Sequence, residues 1–165
     1  ADPNLCKGPL TPVQCAIQAH HAPLLQLLLS NKADPNAATP AGVAPLHLAS
    51  HEGKGDLVKS LLYADADANL RDKHGQTALF FAPTKKICEI LVANGADINA
   101  RNSRLQSALH AAAYSGVLDA LSWLAEATAI DIAAKDEKGY TAFHYARKKA
   151  IKDKLKASLH SKFST

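Results

Sequence analysis

Five short phrases of related sequence recur along this 165-residue chain at a nearly constant interval. They are TPVQCA from Thr11, APLHLA from Ala44, TALFFA from Thr77, SALHAA from Ser107 and TAFHYA from Thr141, spaced by 33, 33, 30 and 34 residues. A second phrase keeps the same step, as ADPN, ADAN, ADIN and IDIA from residues 33, 66, 96 and 130. A repeat of this length predicts a solenoid, because one such unit cannot bury its apolar face alone and must stack on its neighbours.

The second repeat indicates what each unit folds into. PLHLAS predicts the start of a helix that Gly53 ends, and DLVKSLLYA places Leu57, Val58, Leu61 and Leu62 on one apolar face of a second helix. The ADANLRDKHGQT segment that follows is rich in Asp, Asn and Gly, which favour turns. We therefore expect a hairpin-like finger between successive helix pairs.

These phrases resemble the ankyrin repeat, whose unit opens its first helix with T-P-L-H-x-A. The resemblance implies an all-α solenoid of about five helix pairs in a single domain, 1–165, with a degenerate first repeat and Lys-rich capping helices at the C terminus. The repeats are expected at 6–38, 39–71, 72–101, 102–135 and 136–160. The resemblance also implies a concave face, formed by the fingers and the first helices, where ankyrin proteins usually hold partners.

Two repeats depart from the family pattern. The third is three residues short and carries Pro83 where the usual link contains glycine, so its first helix is expected to end early. The first repeat has Gln14 in place of the motif histidine and His20 where Gly53 and Gly116 stand, which marks it as a degenerate end repeat.

The three cysteines bear on the compartment. Cys88 aligns with Val58 on the buried helix face and is predicted to be a core thiol. Cys6 falls in the starting finger and Cys15 on the inner face of the first helix, so a disulfide between them is feasible and would stabilise the end repeat by about 2–3 kcal/mol. Such a bond, the absence of Met and the ADPN start predict export to a bacterial periplasm; the alternative is a cytoplasmic ankyrin protein with three reduced thiols.

The sequence contains little that resembles an enzymatic or metal-binding motif. His47 and His51 stand one helical turn apart, as two zinc ligands would, yet His47 is the motif histidine that returns as His110 and His144, and no third ligand has a recognisable spacing. The resemblance implies that these histidines bridge neighbouring repeats. No phosphate-binding glycine loop, CxxC pair or G-x-S-x-G turn occurs. We expect a non-enzymatic protein without a catalytic residue, metal or cofactor.

The net charge of +4 raises the question of nucleic acid as a partner. Residues 1–146 hold 12 basic and 14 acidic side chains, whereas 147–165 hold 7 basic and 1 acidic, so the basicity is terminal. A solvated capping helix explains these cations and makes nucleic acid an unlikely partner by composition. Binding of nucleic acid or an anionic membrane through them is one alternative function, and a generic ankyrin scaffold is the other. The basic cluster is Arg147, Lys148, Lys149, Lys152, Lys154 and Lys156.

Binding to another protein is the function that the sequence favours. The resemblance implies that the partner contacts the finger tips and the residues after each inner-helix motif. Several of these are aromatic or Arg side chains, which usually anchor interfaces. A small, free, monomeric protein of this kind is expected to act by occupying its partner, as an inhibitor or immunity protein acts on an enzyme. The candidate partner-binding residues are Val43, His51, Glu52, Lys73, His74, Gln76, Phe81, Arg104, Tyr114, Tyr140 and Arg147.

Overall fold

Helices follow one another in pairs along the part of the chain that the computed structural model describes, which is residue 4 and residues 10–163. No β-strand occurs within those residues. In chain order the helices are α1 (Pro12–Gln18), α2 (Ala22–Ser30), α3 (Pro45–His51), α4 (Gly55–Tyr63), a 3-10 helix (Ala78–Phe81), α5 (Lys85–Ala93), α6 (Ala108–Ser115), α7 (Leu118–Glu126), α8 (Ala142–Tyr145) and α9 (Lys149–Phe163).

The helices form two rows. The first helix of each pair packs on the first helix of the next, in the order α1, α3, the 3-10 helix, α6 and α8. The second helices pack in the order α2, α4, α5, α7 and α9, and the two rows contact each other within each pair. The expected all-α solenoid of stacked helix pairs is confirmed, and the inner face is defined here as the surface formed by the fingers and the first-helix row.

The side chain at the fourth position of the recurring phrase caps the first helix of every repeat except the third. The backbone N–H at the start of the helix donates to the side chain three residues later, from Ala44 to His47 Nδ1 at 3.0 Å and from Ser107 to His110 Nδ1 at 3.2 Å. Thr11 does the same with Gln14 Oε1 at 3.0 Å. These contacts satisfy N–H groups that a helix start otherwise leaves unpaired.

The same side chains join one repeat to the next. His47 Nε2 lies 3.0 Å from the Gln76 carbonyl, and His110 Nε2 lies 3.1 Å from the Tyr140 carbonyl. The predicted bridging role of the motif histidine is therefore confirmed at both positions. Gln14 reproduces the bridge by donating from Nε2 to the Val43 carbonyl, so the departure in the first repeat keeps the function of the motif.

The short third repeat has the early helix end that the sequence predicts. Its first helix is a single 3-10 turn, after which Ala82 is extended and Pro83 follows, since proline cannot continue a helix. Phe80 takes the place of the motif histidine and is buried. The Thr77 hydroxyl, which a histidine would approach, finds no hydrogen-bond partner among the described residues.

A ladder of asparagines that follow the second helices also ties the repeats together. Asn69 Oδ1 accepts from the Asp97 N–H at 2.8 Å, and Asn69 Nδ2 donates to the Gly95 carbonyl at 2.8 Å. Asn99 makes the equivalent contacts with the fourth repeat. The A-D-x-N phrase therefore recurs because its Asn holds the following repeat in register, and the ladder ends where Ala133 replaces Asn.

The core lies between the two helix rows and is built from leucine, isoleucine and alanine. Leu61, Leu91 and Leu124 occupy equivalent positions of three second helices and are all buried. Cys88 is buried among them, as predicted, and burial raises its pKa to about 12. A thiol with that pKa stays protonated at neutral pH and packs as a small apolar group.

Candidate functional site

The tips of the third, fourth and fifth fingers, at residues 72–76, 102–106 and 136–140, are tight turns that are each held by one acidic or amide side chain. In the third finger, Asp72 Oδ1 accepts from the His74 N–H at 2.8 Å and from the Gln76 N–H at 2.9 Å. Asn102 and Asp136 form the same pair of bonds in the fourth and fifth fingers. The residues at each tip are therefore fixed by the backbone, which lowers the entropy lost when a partner binds them.

Adjacent fingers also bond to each other. The Lys73 N–H donates to the Ala41 carbonyl at 3.0 Å, the Ser103 N–H to His74 at 2.9 Å, and the Glu137 N–H to Arg104 at 3.0 Å. The exposed side chains of the tips thus stand in one row along the inner face, on a support that several backbone hydrogen bonds hold in place.

Aromatic rings gather where the fourth and fifth repeats meet. The Tyr145 ring contacts Tyr114 and Tyr140 edge-on, with ring centroids 6.4 Å apart in both pairs. The Arg147 guanidinium lies over the Tyr114 ring at 5.0 Å from its centroid. We call Tyr114, Tyr140, Tyr145 and Arg147 the tyrosine cluster, and it combines two exposed rings with an exposed cation.

Hydrogen bonds hold the centre of this cluster. The Tyr145 hydroxyl donates to Asp136 Oδ2 and accepts from Gln106 Nε2 at 3.1 Å. The bond to Asp136, followed by burial, raises the pKa of Tyr145, while the bond from Gln106 and the positive charge of Arg104 act the other way. Burial alone would raise the pKa of Asp136, but the hydrogen bonds from Tyr145 and from backbone N–H groups lower it below its ordinary value. Asp136 is therefore a buried anion that anchors Tyr145.

The predicted partner-binding residues divide by exposure. His51, Lys73, His74, Arg104, Tyr114, Tyr140 and Arg147 are exposed, whereas Val43, Glu52, Gln76 and Phe81 are half-buried. The carbonyls of Val43 and Gln76 accept the bridging bonds of the motif side chains. Phe81 contacts the His47 ring edge-on at 5.7 Å and packs against the core. The structure brings Tyr114, Tyr140 and Arg147 into one cluster and leaves the other predicted residues distributed along the inner face.

Tyr145 is not among the site residues predicted from the sequence, although it stands inside the recurring phrase TAFHYA. The signal that was available is that a tyrosine occupies the position where the second repeat has Leu48 and the fourth has Ala111. The third repeat has Phe81 at this position, so the ring itself is not unusual, but the polar hydroxyl end of Tyr145 indicates a local role, here the link between finger and helix.

The remaining sequence predictions concern cysteine and histidine. Cys15 is exposed and forms no disulfide within the described residues, while Cys6 lies outside them, so the pairing stays a prediction. His47 is buried and uses both ring nitrogens in backbone hydrogen bonds, which excludes it as a zinc ligand in this fold. Within the same residues no three His, Cys, Asp or Glu side chains come together as metal ligands, and no helix has the length and apolarity to cross a membrane.

A family profile described as ankyrin repeats (3 copies) matches residues 13–102 and 83–157 of this sequence. The two matches together extend over more than half of the chain, and the stacked helix pairs, capping histidines and fingers agree with them. The chain belongs to the ankyrin repeat family, and its repeats indicate a protein–protein interaction module. The family is generally a non-enzymatic interaction scaffold.

Three known proteins that are similar to this chain come from animals and are much longer than it. The transient receptor potential cation channel subfamily A member 1 of Homo sapiens is 33% identical over 110 residues, which are 64% of this chain and 10% of the channel. Alpha-latrotoxin-Lg1a of Latrodectus geometricus is 30% identical over 125 residues, 72% of this chain and 9% of the toxin. The B-cell lymphoma 3 protein homolog of Mus musculus is 33% identical over 85 residues, 52% of this chain and 19% of that protein. The chain therefore spans a small part of each relative.

Proposed function

We propose that this chain binds a partner protein through its inner face, with the tyrosine cluster as the centre of the contact. The observation that carries the proposal is the cluster itself: Tyr114 is 57% exposed and Tyr140 is 46% exposed, and both contact Tyr145. Rigid aromatic side chains beside an arginine supply large contact area with little loss of side-chain freedom.

The finer proposal is that the bound partner is an enzyme and that the chain inhibits it by occupying its surface. The scaffold presents a row of finger tips that backbone hydrogen bonds hold in place before a partner binds. Export to an oxidising compartment accompanies this proposal, and its support is the feasible Cys6–Cys15 bond.

The basic cluster, on the last helix and the two residues before it, gives weaker support for a nucleic-acid or membrane function. Two of these cations already have partners within the chain, since Lys156 lies over Phe143 and Lys154 contacts Glu126. Cations held in such contacts are less free to neutralise phosphate groups, so protein binding remains the better account of this surface.

A photo-crosslinking experiment tests the inner-face proposal. A photoreactive phenylalanine analogue replaces Tyr114 in one variant and Tyr63 in another, expressed in the source organism. Tyr63 is 93% exposed on α4, in the second-helix row, and is therefore the matched control for an accessible tyrosine on the other surface. We expect a specific crosslinked protein from position 114 and none of that mass from position 63.

The inhibition proposal is tested with the purified crosslinked partner. If it is an enzyme, adding this chain should suppress its activity in a one-to-one titration. Crosslinks that form from position 63 and not from 114 would contradict the inner-face proposal. Binding at 114 without loss of activity would contradict inhibition alone.

A further inference from the structure

The tip of the fourth finger carries an exposed leucine in a backbone conformation that leucine avoids. Leu105 has a φ of 58° and is 52% exposed. The equivalent position of three other fingers is glycine, with φ of 75° at Gly42, 75° at Gly75 and 76° at Gly139. Left-handed backbone brings a Cβ close to the following carbonyl oxygen, so glycine is the residue that the turn favours.

Packing between fingers leaves little room for a side chain at two of these glycines. A Cβ built on Gly42 would lie 2.9 Å from the Lys73 amide nitrogen, and one on Gly75 would lie 2.9 Å from the Ser103 amide nitrogen. The fifth finger bonds to the fourth through the same type of N–H to carbonyl contact. The left-handed backbone therefore favours glycine at position 105, and the leucine found there is a local conflict that points to a role in function.

Leu105 is linked to the tyrosine cluster. Its neighbour Gln106 donates to the Tyr145 hydroxyl at 3.1 Å. Its other neighbour, Arg104, is exposed and accepts the backbone bond from the fifth finger. The leucine thus adds exposed apolar area to the same part of the inner face as the exposed rings of Tyr114 and Tyr140.

The charges around this surface are mainly positive. Exposed cations come from the fourth finger, the fifth finger and the segment after α8, and Asp136 is buried and bonded to Tyr145. Glu137 is the exposed acid on these two finger tips. An apolar and aromatic surface surrounded by cations fits a segment with the opposite charge. The cations are Arg104, Lys138, Arg147 and Lys148.

We propose that Leu105 and the tyrosine cluster form the docking site for an acidic segment of the partner protein, with Leu105 against an apolar anchor of that segment. Arg104 and Arg147 pair with its carboxylates. This proposal rests on the proposed inner-face function and names the chemistry of the partner.

The test uses a phage-displayed library of random dodecapeptides selected on the full chain, and the most enriched sequence is then synthesised with a fluorescein label. We expect the enriched sequences to carry an excess of Asp and Glu around an apolar or aromatic residue. In fluorescence anisotropy, Leu105→Gly should weaken binding of that peptide roughly tenfold or more, and Arg147→Ala should weaken it and reduce its salt dependence.

Asp65→Gly is the matched control for the change in backbone strain. Asp65 is exposed, has a φ of 62° and lies at the C-terminal end of α4, outside the tyrosine cluster. Both glycine substitutions should keep or raise the melting temperature, but only Leu105→Gly should lose the peptide.

The outcomes separate this proposal from the one on which it rests. Peptides without an acidic excess, no enriched sequence at all, or equal binding by the Leu105→Gly variant would overturn the acidic-segment proposal. If Tyr114→Ala still abolishes binding of the crosslinked partner protein in that case, the inner-face function stands. Loss of binding on Tyr63→Ala and not on Tyr114→Ala overturns both.

Discussion

The Arg147 guanidinium lies over the Tyr114 ring, 5.0 Å from the ring centroid, and so joins the segment after α8 to the end of α6. The two residues belong to different repeats, and each is exposed. A cation over an exposed aromatic ring is worth about 0.5–1 kcal/mol. The pair therefore contributes modestly to the stability of the fold and offers a partner a preformed surface. Substituting either residue should consequently affect partner binding more than folding.

Alanine substitution of the exposed inner-face residues should weaken binding and spare the fold. We expect Tyr114→Ala and Arg104→Ala each to weaken binding of the crosslinked partner roughly tenfold or more. Arg104→Ala should change folding by under about 0.5 kcal/mol, and Tyr114→Ala by about 0.5–1 kcal/mol because it also loses the contact with Arg147. Tyr114→Ala and Arg147→Ala should be less than additive, since the two side chains contact each other. Isothermal titration calorimetry with the partner measures the binding affinities of the single and double variants, and thermal unfolding measures their melting temperatures.

Leu118→Ala is the control for that experiment, because Leu118 is an exposed apolar residue at the start of α7 in the second-helix row. It should leave binding unchanged. Intact binding in all the inner-face variants, together with its loss on changes to the second helices, would contradict the inner-face assignment.

The unpaired hydroxyl of Thr77 predicts a substitution that does not destabilise the protein. Thr77 is buried and its Oγ1 has no partner among the described residues, so Thr77→Val should be neutral or stabilise folding by up to about 1 kcal/mol. Thr141→Val is the chemically matched control, since Thr141 Oγ1 lies 3.1 Å from His144 Nδ1. It should lose about 1 kcal/mol in urea unfolding. A larger loss in Thr77→Val than in Thr141→Val would contradict the assignment of an unsatisfied hydroxyl.

His110 should make stability depend on pH. Burial lowers its pKa from the ordinary value of 6.5, against the hydrogen bond to the Tyr140 carbonyl, which acts the other way. The unfolded chain therefore takes up a proton first as the pH falls. The contribution of His110 to stability is complete above 6.5 and is lost as the pH falls from there through the lower pKa of the folded state.

Gln14 suggests the variant that isolates this effect, because it makes the same two backbone contacts in the first repeat. We expect His110→Gln to keep most of the stability at about pH 7.5 and to lose less of it at about pH 5.5 than the wild-type protein does. His110→Ala should lose about 2–4 kcal/mol, since it leaves buried backbone groups unpaired. An unchanged difference between the two pH values in His110→Gln would show that other groups set the pH dependence.

The thiols should differ in reactivity. Cys88 is buried with a pKa raised to about 12, so iodoacetamide should not label it in the native protein, whereas denaturation should expose it. For the exported protein, purified with thiols trapped at lysis, we expect Cys6 and Cys15 to be bonded and Cys88 alone to be labelled after denaturation without reductant. Mass spectrometry of the alkylated chain measures this. Three labelled cysteines would contradict the disulfide and remove its support for export.

The sequence by itself determined the repeat architecture. The period of about 33 residues, the helix pairs, the buried position of Cys88 and the early helix end before Pro83 all follow from local patterns. Such patterns are reliable because helix periodicity and proline geometry act within a few residues. The bridging role of His47 and His110 followed from the resemblance to the family. That resemblance could be recognised because the phrase that contains these histidines recurs along the chain.

Only the tertiary structure decided which side chains meet across repeats. Tyr145 and Gln106 bond although 39 residues separate them, and Arg147 reaches Tyr114 across one repeat. These contacts depend on the offset and rotation between stacked repeats, which no local pattern records. The left-handed backbone of Leu105 is also decided by the tertiary structure, because the turn imposes it on a residue that prefers other conformations.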